Sequence, residues 1–251
     1  MHSSQQVWMI PSGEVRLTEN SVHVWRAALD VPLSSVHHLR QALSPDEVTR
    51  AQRLYFERDR QRWIVARGLL RTLLGHYTHT DPRLITFTLN DYGKPEIAFP
   101  HQKPLLRFNI SHSADIVLYA FAQQRTLGVD VEYMRSPIEY DELARHSFSA
   151  YEQGVLRDLP QEQKHQAFYH CWTRKEAYIK ARGLGLSLPL DLFDVSLDNP
   201  AKLLASREHP EEARRWSMLD LAPGEGYAGA LVAERSEWQI SLWQWSFEGS
   251  S

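Results

Sequence analysis

The 251 residues include one cysteine, Cys171. A single thiol excludes an internal disulfide framework and fits a chain kept in a reducing compartment. His170 precedes it, but adjacent helical residues point about 100° apart, so Cys171 reads as a structural side chain, not an activated thiol. No apolar run approaches about 18 residues, so no membrane span is expected. The opening MHSSQQVWMI lacks the basic and apolar regions of a secretory signal. A cytoplasmic location is the expectation from these absences. Excess positive charge is missing too: the net charge of −3 argues against a general nucleic-acid binder.

What is present is ordinary globular material, 43% hydrophobic and 24% charged, with eight Trp. The length suits one large domain or two of roughly 120 residues. Ser44-Pro45-Asp46-Glu47 starts a helix with an N-cap, a first-turn proline and a capping box. Its pattern runs to a C-cap at Gly75, with one break near Glu57 to Asp59. Seven Arg and no Lys fall between Arg50 and Arg71. They form either a solvated face or an anion site, since Arg's planar fork suits phosphate. Strands are expected over residues 22–27, 84–89, 106–110, 116–122 and 128–132, and over four short stretches after Pro189. Residues 137–157 read as helix with a break, Ser149 and Glu152 forming another capping box. Each half thus runs from helix to antiparallel-looking strands, giving an α/β (α+β) fold whose halves join near Gln123 to Thr126.

Two stretches carry chemistry. In Gly128-Val129-Asp130-Val131-Glu132 the two acids share one strand face. Such a pair is either a solvated acidic edge or a site for a cation or proton, because adjacent carboxylates repel. From Phe168 to Leu190 the first half is helical, with Trp172, Glu176 and Lys180 on one stripe. Glu followed by Lys four residues later is commonly a surface ion pair. Here Trp172 and the apolar Ala177, Tyr178 and Ala181 put the pair at the rim of something buried. Lys94 sits in a turn between Gly93 and Pro95, where an anion could reach it. Ser111-His112-Ser113 ends the 106–110 strand.

Taken together, Gly128-Val129-Asp130-Val131-Glu132 and Trp172-Thr173-Arg174-Lys175-Glu176-Ala177 with Lys180 resemble the signature of the Sfp-type 4′-phosphopantetheinyl transferases. That signature is G-[IV]-D-x-E followed by [FW]-[SCT]-x-K-E-[AS]-x-x-K, and every fixed position is filled. Gly93-Lys94-Pro95 and Phe108-Asn109-Ile110-Ser111-His112-Ser113 resemble the family's two upstream motifs. The Arg58–Gly75 segment resembles its Arg-rich helix more loosely.

The resemblance implies a monomer of two pseudo-twofold-related halves, residues 1–124 and 125–251. Each half would be a small, mainly antiparallel sheet with a long helix packed on it, and coenzyme A would lie in the cleft between them. It implies Mg²⁺-dependent transfer of 4′-phosphopantetheine from coenzyme A to a serine of an apo acyl or peptidyl carrier protein, releasing adenosine 3′,5′-bisphosphate. Such carriers serve fatty-acid, polyketide or non-ribosomal peptide biosynthesis. Asp130, Glu132 and Glu176 match the metal-binding acids, and Lys180 the lysine that handles the transferred phosphate. Asp130, Glu176 and Lys180 would form the catalytic group. Lys94 and Pro95 match the pair near the adenine, Ser111 and His112 the contacts to coenzyme phosphates, and Arg62 the N-terminal arginine of the nucleotide site. Trp63 departs from the family, some members having a small hydroxyl residue there. The Gly183–Leu186 loop is expected to line the cleft. Two other readings stay open on the residues alone: a Mg²⁺-dependent nucleotide phosphohydrolase, and a non-catalytic module that binds coenzyme A or a carrier.

Overall fold

A computed structural model of the chain describes residues 6–98, 105–135, 140–235 and 237–247. The first half contains strand β1 (Ser21–Ala28), helices α1 (Leu33–Arg40), α2 (Pro45–Gln52) and α3 (Glu57–Thr78), and strands β2 (Phe87–Leu89), β3 (Pro95–Ile97), β4 (Leu106–Ser113) and β5 (Ile116–Gln123). The second contains β6 (Leu127–Tyr133), α4 (Tyr140–Ser147), α5 (Ala150–Asp158), α6 (Gln161–Arg182), β7 (Phe193–Val195), β8 (Leu203–Ser206), α7 (Glu212–Arg215), β9 (Trp216–Leu221) and β10 (Tyr227–Glu234). Strand β11 (Gln239–Gln244) closes the described chain.

The halves share one plan. A strand leads through helices to a 22-residue helix, α3 or α6, then to a two-stranded hairpin, β2–β3 or β7–β8, and then to two long strands. The sheet orders correspond as well, β1-β5-β4 in one half and β6-β10-β9 in the other, with every neighbour antiparallel. This is the α/β architecture of two similar halves that the sequence suggested.

One strand crosses the 124/125 division. β11 pairs in parallel with β1, so the first sheet reads β11-β1-β5-β4 and residues 239–244 complete it from the far end of the chain. Parallel pairing needs no adjacent turn signal, which is why strand pattern alone places β11 with the second half.

Alternation along the strands sends one face of each sheet to its own long helix and the other to the opposite sheet. Trp25, Val117, Tyr119 and Phe121 pack under α3 with Leu69, Leu70 and Leu73. Ala228, Ala230 and Val232 pack under α6 with Ala177, Tyr178 and Ala181. Between the sheets, Val22, Val24, Leu118 and Ala120 meet Val129, Val131 and Leu231 in a third apolar cluster. Cys171 is fully buried, as expected of a structural thiol.

Local boundaries differ from the sequence pattern in several places, among them the start of α6, at Gln161 and not Phe168. The first long helix is interrupted over residues 53–56 and runs past Gly75 to Thr78, with His79 as a left-handed cap. The 84–89 strand shortens to β2 because Pro82–Leu84 forms a 3₁₀ turn. The 106–110 strand continues through Ser113. The expected helix start at Pro137 lies outside the described residues.

Candidate active site

Position Gly128 is where the second sheet and α6 come closest. A β-carbon there would stand 2.2 Å from the Ala177 carbonyl oxygen and 2.4 Å from the Ala181 nitrogen. Only a residue without a side chain lets the helix backbone lie on β6. That contact sets α6 at a height where its half-buried stripe of Trp172, Glu176 and Lys180 faces the strand's acids. Trp172 stacks on Phe168 with ring centroids 6.1 Å apart and anchors the stripe.

Asp130 is 2% exposed. Its Oδ1 accepts from the Lys180 ammonium at 2.6 Å and from the Ser111 hydroxyl at 2.8 Å. Lys180 also donates to the Ser111 hydroxyl at 2.8 Å. Glu132 accepts from the Ser113 hydroxyl at 2.7 Å. Burial raises the Asp130 carboxyl against the pull of Lys180. It raises Glu132 too, helped by the neighbouring Asp130 charge. Glu176 is pushed up to about 7, by burial first and then by Asp130. The carboxylates therefore share a poorly solvated space in which the Asp130 charge disfavours ionisation of Glu132 and Glu176.

Among the described residues, no group of three or more His, Cys, Asp or Glu is placed to hold a metal ion. The Lys180 ammonium sits 2.6 Å from Asp130 Oδ1. The donor set still fits a hard cation, because Asp130 Oδ2 is buried without a hydrogen-bond partner and Mg²⁺ takes oxygen ligands.

The remaining predicted residues divide into two neighbourhoods. His112 is exposed on β4 and shares a cavity with Arg62, Trp63 and Leu54. Its imidazole pKa is held down by burial of its surroundings and by the Lys180 and Arg62 charges. Arg62 grips Asp30 with two bonds of 2.7 Å and gives a third, of 2.8 Å, to the Ala114 carbonyl. Lys94 and Pro95 line a separate cavity with Asn90, Arg107, Arg182 and Gly183. There the Lys94 ammonium donates to the carbonyls of Lys180 at 2.7 Å and Leu127 at 3.0 Å. Burial brings its pKa down to about 8. Asn90 donates to the Gly183 carbonyl at 2.8 Å, so the turn before β3 is fastened to the end of α6. Of the other arginines, Arg67 and Arg71 both bind Glu47, Arg71 almost fully buried, which makes them structural staples.

Sequence reasoning missed the buried charges beside the site. Lys175 and Glu152 form an ion pair of 2.7 Å with both side chains at 0% exposure. Arg174, equally buried, forks onto Asp220 at 2.8 and 2.6 Å. Both follow residues of the apolar helix face in spacing, which was the available signal. Asn109 and Ser113 were missed as site neighbours too, although polar residues alternate with Phe108 and Ile110 along β4.

Comparison with known proteins shows the family. Residues 126–232 match the 4′-phosphopantetheinyl transferase superfamily model, and residues 31–124 match the model of a 4′-phosphopantetheinyl transferase N-terminal domain. The chain belongs to the 4′-phosphopantetheinyl transferase superfamily and is an enzyme of that class. It is similar to 4′-phosphopantetheinyl transferase HetI of a Nostoc species, at 36% identity over 96% of this chain and 99% of the relative. It is also similar to 4′-phosphopantetheinyl transferase Sfp of Bacillus subtilis, at 32% identity over 88% of this chain and 96% of the relative. A shorter match, 34% identity over 49% of this chain and 58% of the relative, is to 4′-phosphopantetheinyl transferase AcpT of Escherichia coli. Among the described residues no helix is long and apolar enough to cross a membrane.

Proposed function

We propose that the chain, acting as a monomer, transfers the 4′-phosphopantetheine group of coenzyme A to a serine hydroxyl of an apo acyl or peptidyl carrier protein in a Mg²⁺-dependent reaction. The observation that carries the reading is the meeting of Asp130, Glu132, Glu176 and Lys180 in one poorly solvated space, with Asp130 Oδ2 unpartnered. Asp130, Glu132 and Glu176 would hold the ion, which when bound supplies charge neutralisation to the pyrophosphate oxygens.

The chain's own residues supply positioning and proton handling, the main needs of phosphoryl transfer. Glu176 accepts the proton of the carrier serine as that oxygen attacks phosphorus. The bond from phosphorus to the oxygen of adenosine 3′,5′-bisphosphate breaks as the new one forms. Lys180, on the same helical stripe, sets its ammonium against the charge developing on the phosphate. His112 and Arg62 in one cavity, and Lys94 with Pro95 in the other, serve the nucleotide portion as charge-assisted donors and walls.

The test uses purified protein, coenzyme A, Mg²⁺ and an apo carrier protein, scored by the carrier's gain in mass. Asp130→Ala, Glu132→Ala and Glu176→Ala are each expected to lose transfer while keeping the circular dichroism of the parent. Full activity in Asp130→Ala overturns the metal assignment. Coenzyme A breakdown without carrier would point instead to a phosphohydrolase.

A further inference from the structure

Strands β1 and β6 hold the same place in the two halves, each leading its sheet. The outer edge of β1 is covered by β11. The outer edge of β6 is covered by side chains. Asn109 Oδ1 accepts from the Val129 N–H at 2.8 Å, Ser111 Oγ from the Val131 N–H at 3.4 Å, and Ser113 Oγ from the Tyr133 N–H at 3.0 Å. Alternate residues of β4 thus meet alternate residues of β6, and a polar side-chain ladder stands where a strand would otherwise pair.

A serine hydroxyl has one proton to give. With Oγ accepting from the backbone, Ser111 gives its proton to Asp130 Oδ1 at 2.8 Å and Ser113 gives its proton to Glu132 Oε2 at 2.7 Å. Both serines are buried. Each carboxylate therefore has one oxygen tied to the seam between the sheets. On Asp130 the other oxygen is left without a hydrogen-bond partner.

We propose that Ser113 is a positioning residue for Glu132, as Ser111 is for Asp130: the seam that joins the two sheets also aims the free carboxylate oxygens at the cation. The inference rests on the metal role proposed above for these acids. Ser113 touches neither the phosphate nor the ion in this arrangement; it acts through Glu132. Asn109 belongs to the same seam but reaches no acid, which makes it the control for a purely structural role.

The experiment titrates Mg²⁺ into the full chain at fixed coenzyme A concentration, following the heat of binding, with the melting temperature of each variant measured alongside. Ser113→Ala is expected to raise the half-saturating Mg²⁺ about tenfold, the scale on which removal of a ligand's hydrogen-bond partner weakens metal binding. Ser113→Thr, which keeps the hydroxyl, restores it to within about twofold of the parent, while Asn109→Ala lowers the melting temperature and leaves the Mg²⁺ requirement unchanged. A parental Mg²⁺ curve in Ser113→Ala overturns the inference alone. So does an Asn109→Ala curve shifted as far as that of Ser113→Ala. Absence of a Mg²⁺ response in the parent overturns the metal role itself, and this inference with it.

Discussion

Lys175 and Lys180 share a helix and face opposite ways. Lys180 lies on the half-buried stripe, 29% exposed, with its ammonium on Asp130. Lys175 is sealed in, bound to Glu152 and to the Phe193 carbonyl, both at 2.7 Å. Glu152 in turn accepts from the backbone of Val195 and Ser149, each at 2.8 Å, so the pair ties α5, α6 and β7 together. Breaking a buried pair by removing one partner strands the other charge away from water. Lys175→Met is therefore expected to cost about 3 kcal/mol in denaturant unfolding, with a slope against denaturant like the parent's. A loss under about 0.5 kcal/mol, the usual range for surface changes, would show that the pair contributes little. The sequence makes Glu176 and Lys180 legible because helical spacing and the strand acids point to one place. It hides Lys175, whose partner lies in a different helix: its spacing with the apolar helix face is the one signal of burial, and charged residues are ordinarily taken as solvated.

At the scale of elements, the junction of β6 and α6 depends on the missing side chain of Gly128. Gly128→Ala drives a methyl group into helix backbone, which has no rotamer with which to yield. The expected result is a destabilisation of about 1–3 kcal/mol and a fall in transfer activity beyond what the loss of folded protein explains, because Glu176 and Lys180 move with the helix. Equal activity per folded molecule, measured at low temperature, would sever that link. Elements marked by their own chemistry are readable in advance. Ser149 and Glu152 form the capping box at the start of α5, with bonds of 2.8 and 3.3 Å, and alternation marks β4 and β6. Helix α1 and the hairpin strands β3 and β8 are short, and their patterns are too brief to stand out from loop. They exist because tertiary packing holds them: Val36 and Leu39 are buried against α3, and Leu203 packs under α6.

For the whole molecule, stability follows from groups far from the cleft. His23 is buried, with its Nδ1 2.8 Å from the Tyr77 hydroxyl. Burial, aided by the His76 charge, brings its imidazole down to about 4. An unfolded chain binds that proton near 6.5, so between about 6.5 and 4 the unfolded state holds more protons and stability falls with pH. The contribution is complete above about 6.5 and worth about 3 kcal/mol at most. Asp220 extends the trend. Burial alone would raise it, but hydrogen bonds from His170 and Arg174 outweigh burial and bring it down to about 2, so its contribution disappears as pH falls below about 4. Glu176, held at about 7, acts in the opposite direction over the same range, because its folded form binds the extra proton. The His23 contribution is therefore read as a difference: from pH 7 to 4 the parent is expected to lose melting temperature relative to His23→Phe. An unchanged slope in that variant would assign the acid sensitivity elsewhere. The two-half plan is legible because each half repeats its own pattern. The return of β11 is not, since nothing in residues 239–244 names a partner at residues 21–26. That return also fixes an order of events in time. The first half is synthesised first, yet its sheet keeps an unpaired edge on β1 until the whole second half and β11 have been made, so the half begun earliest is completed last.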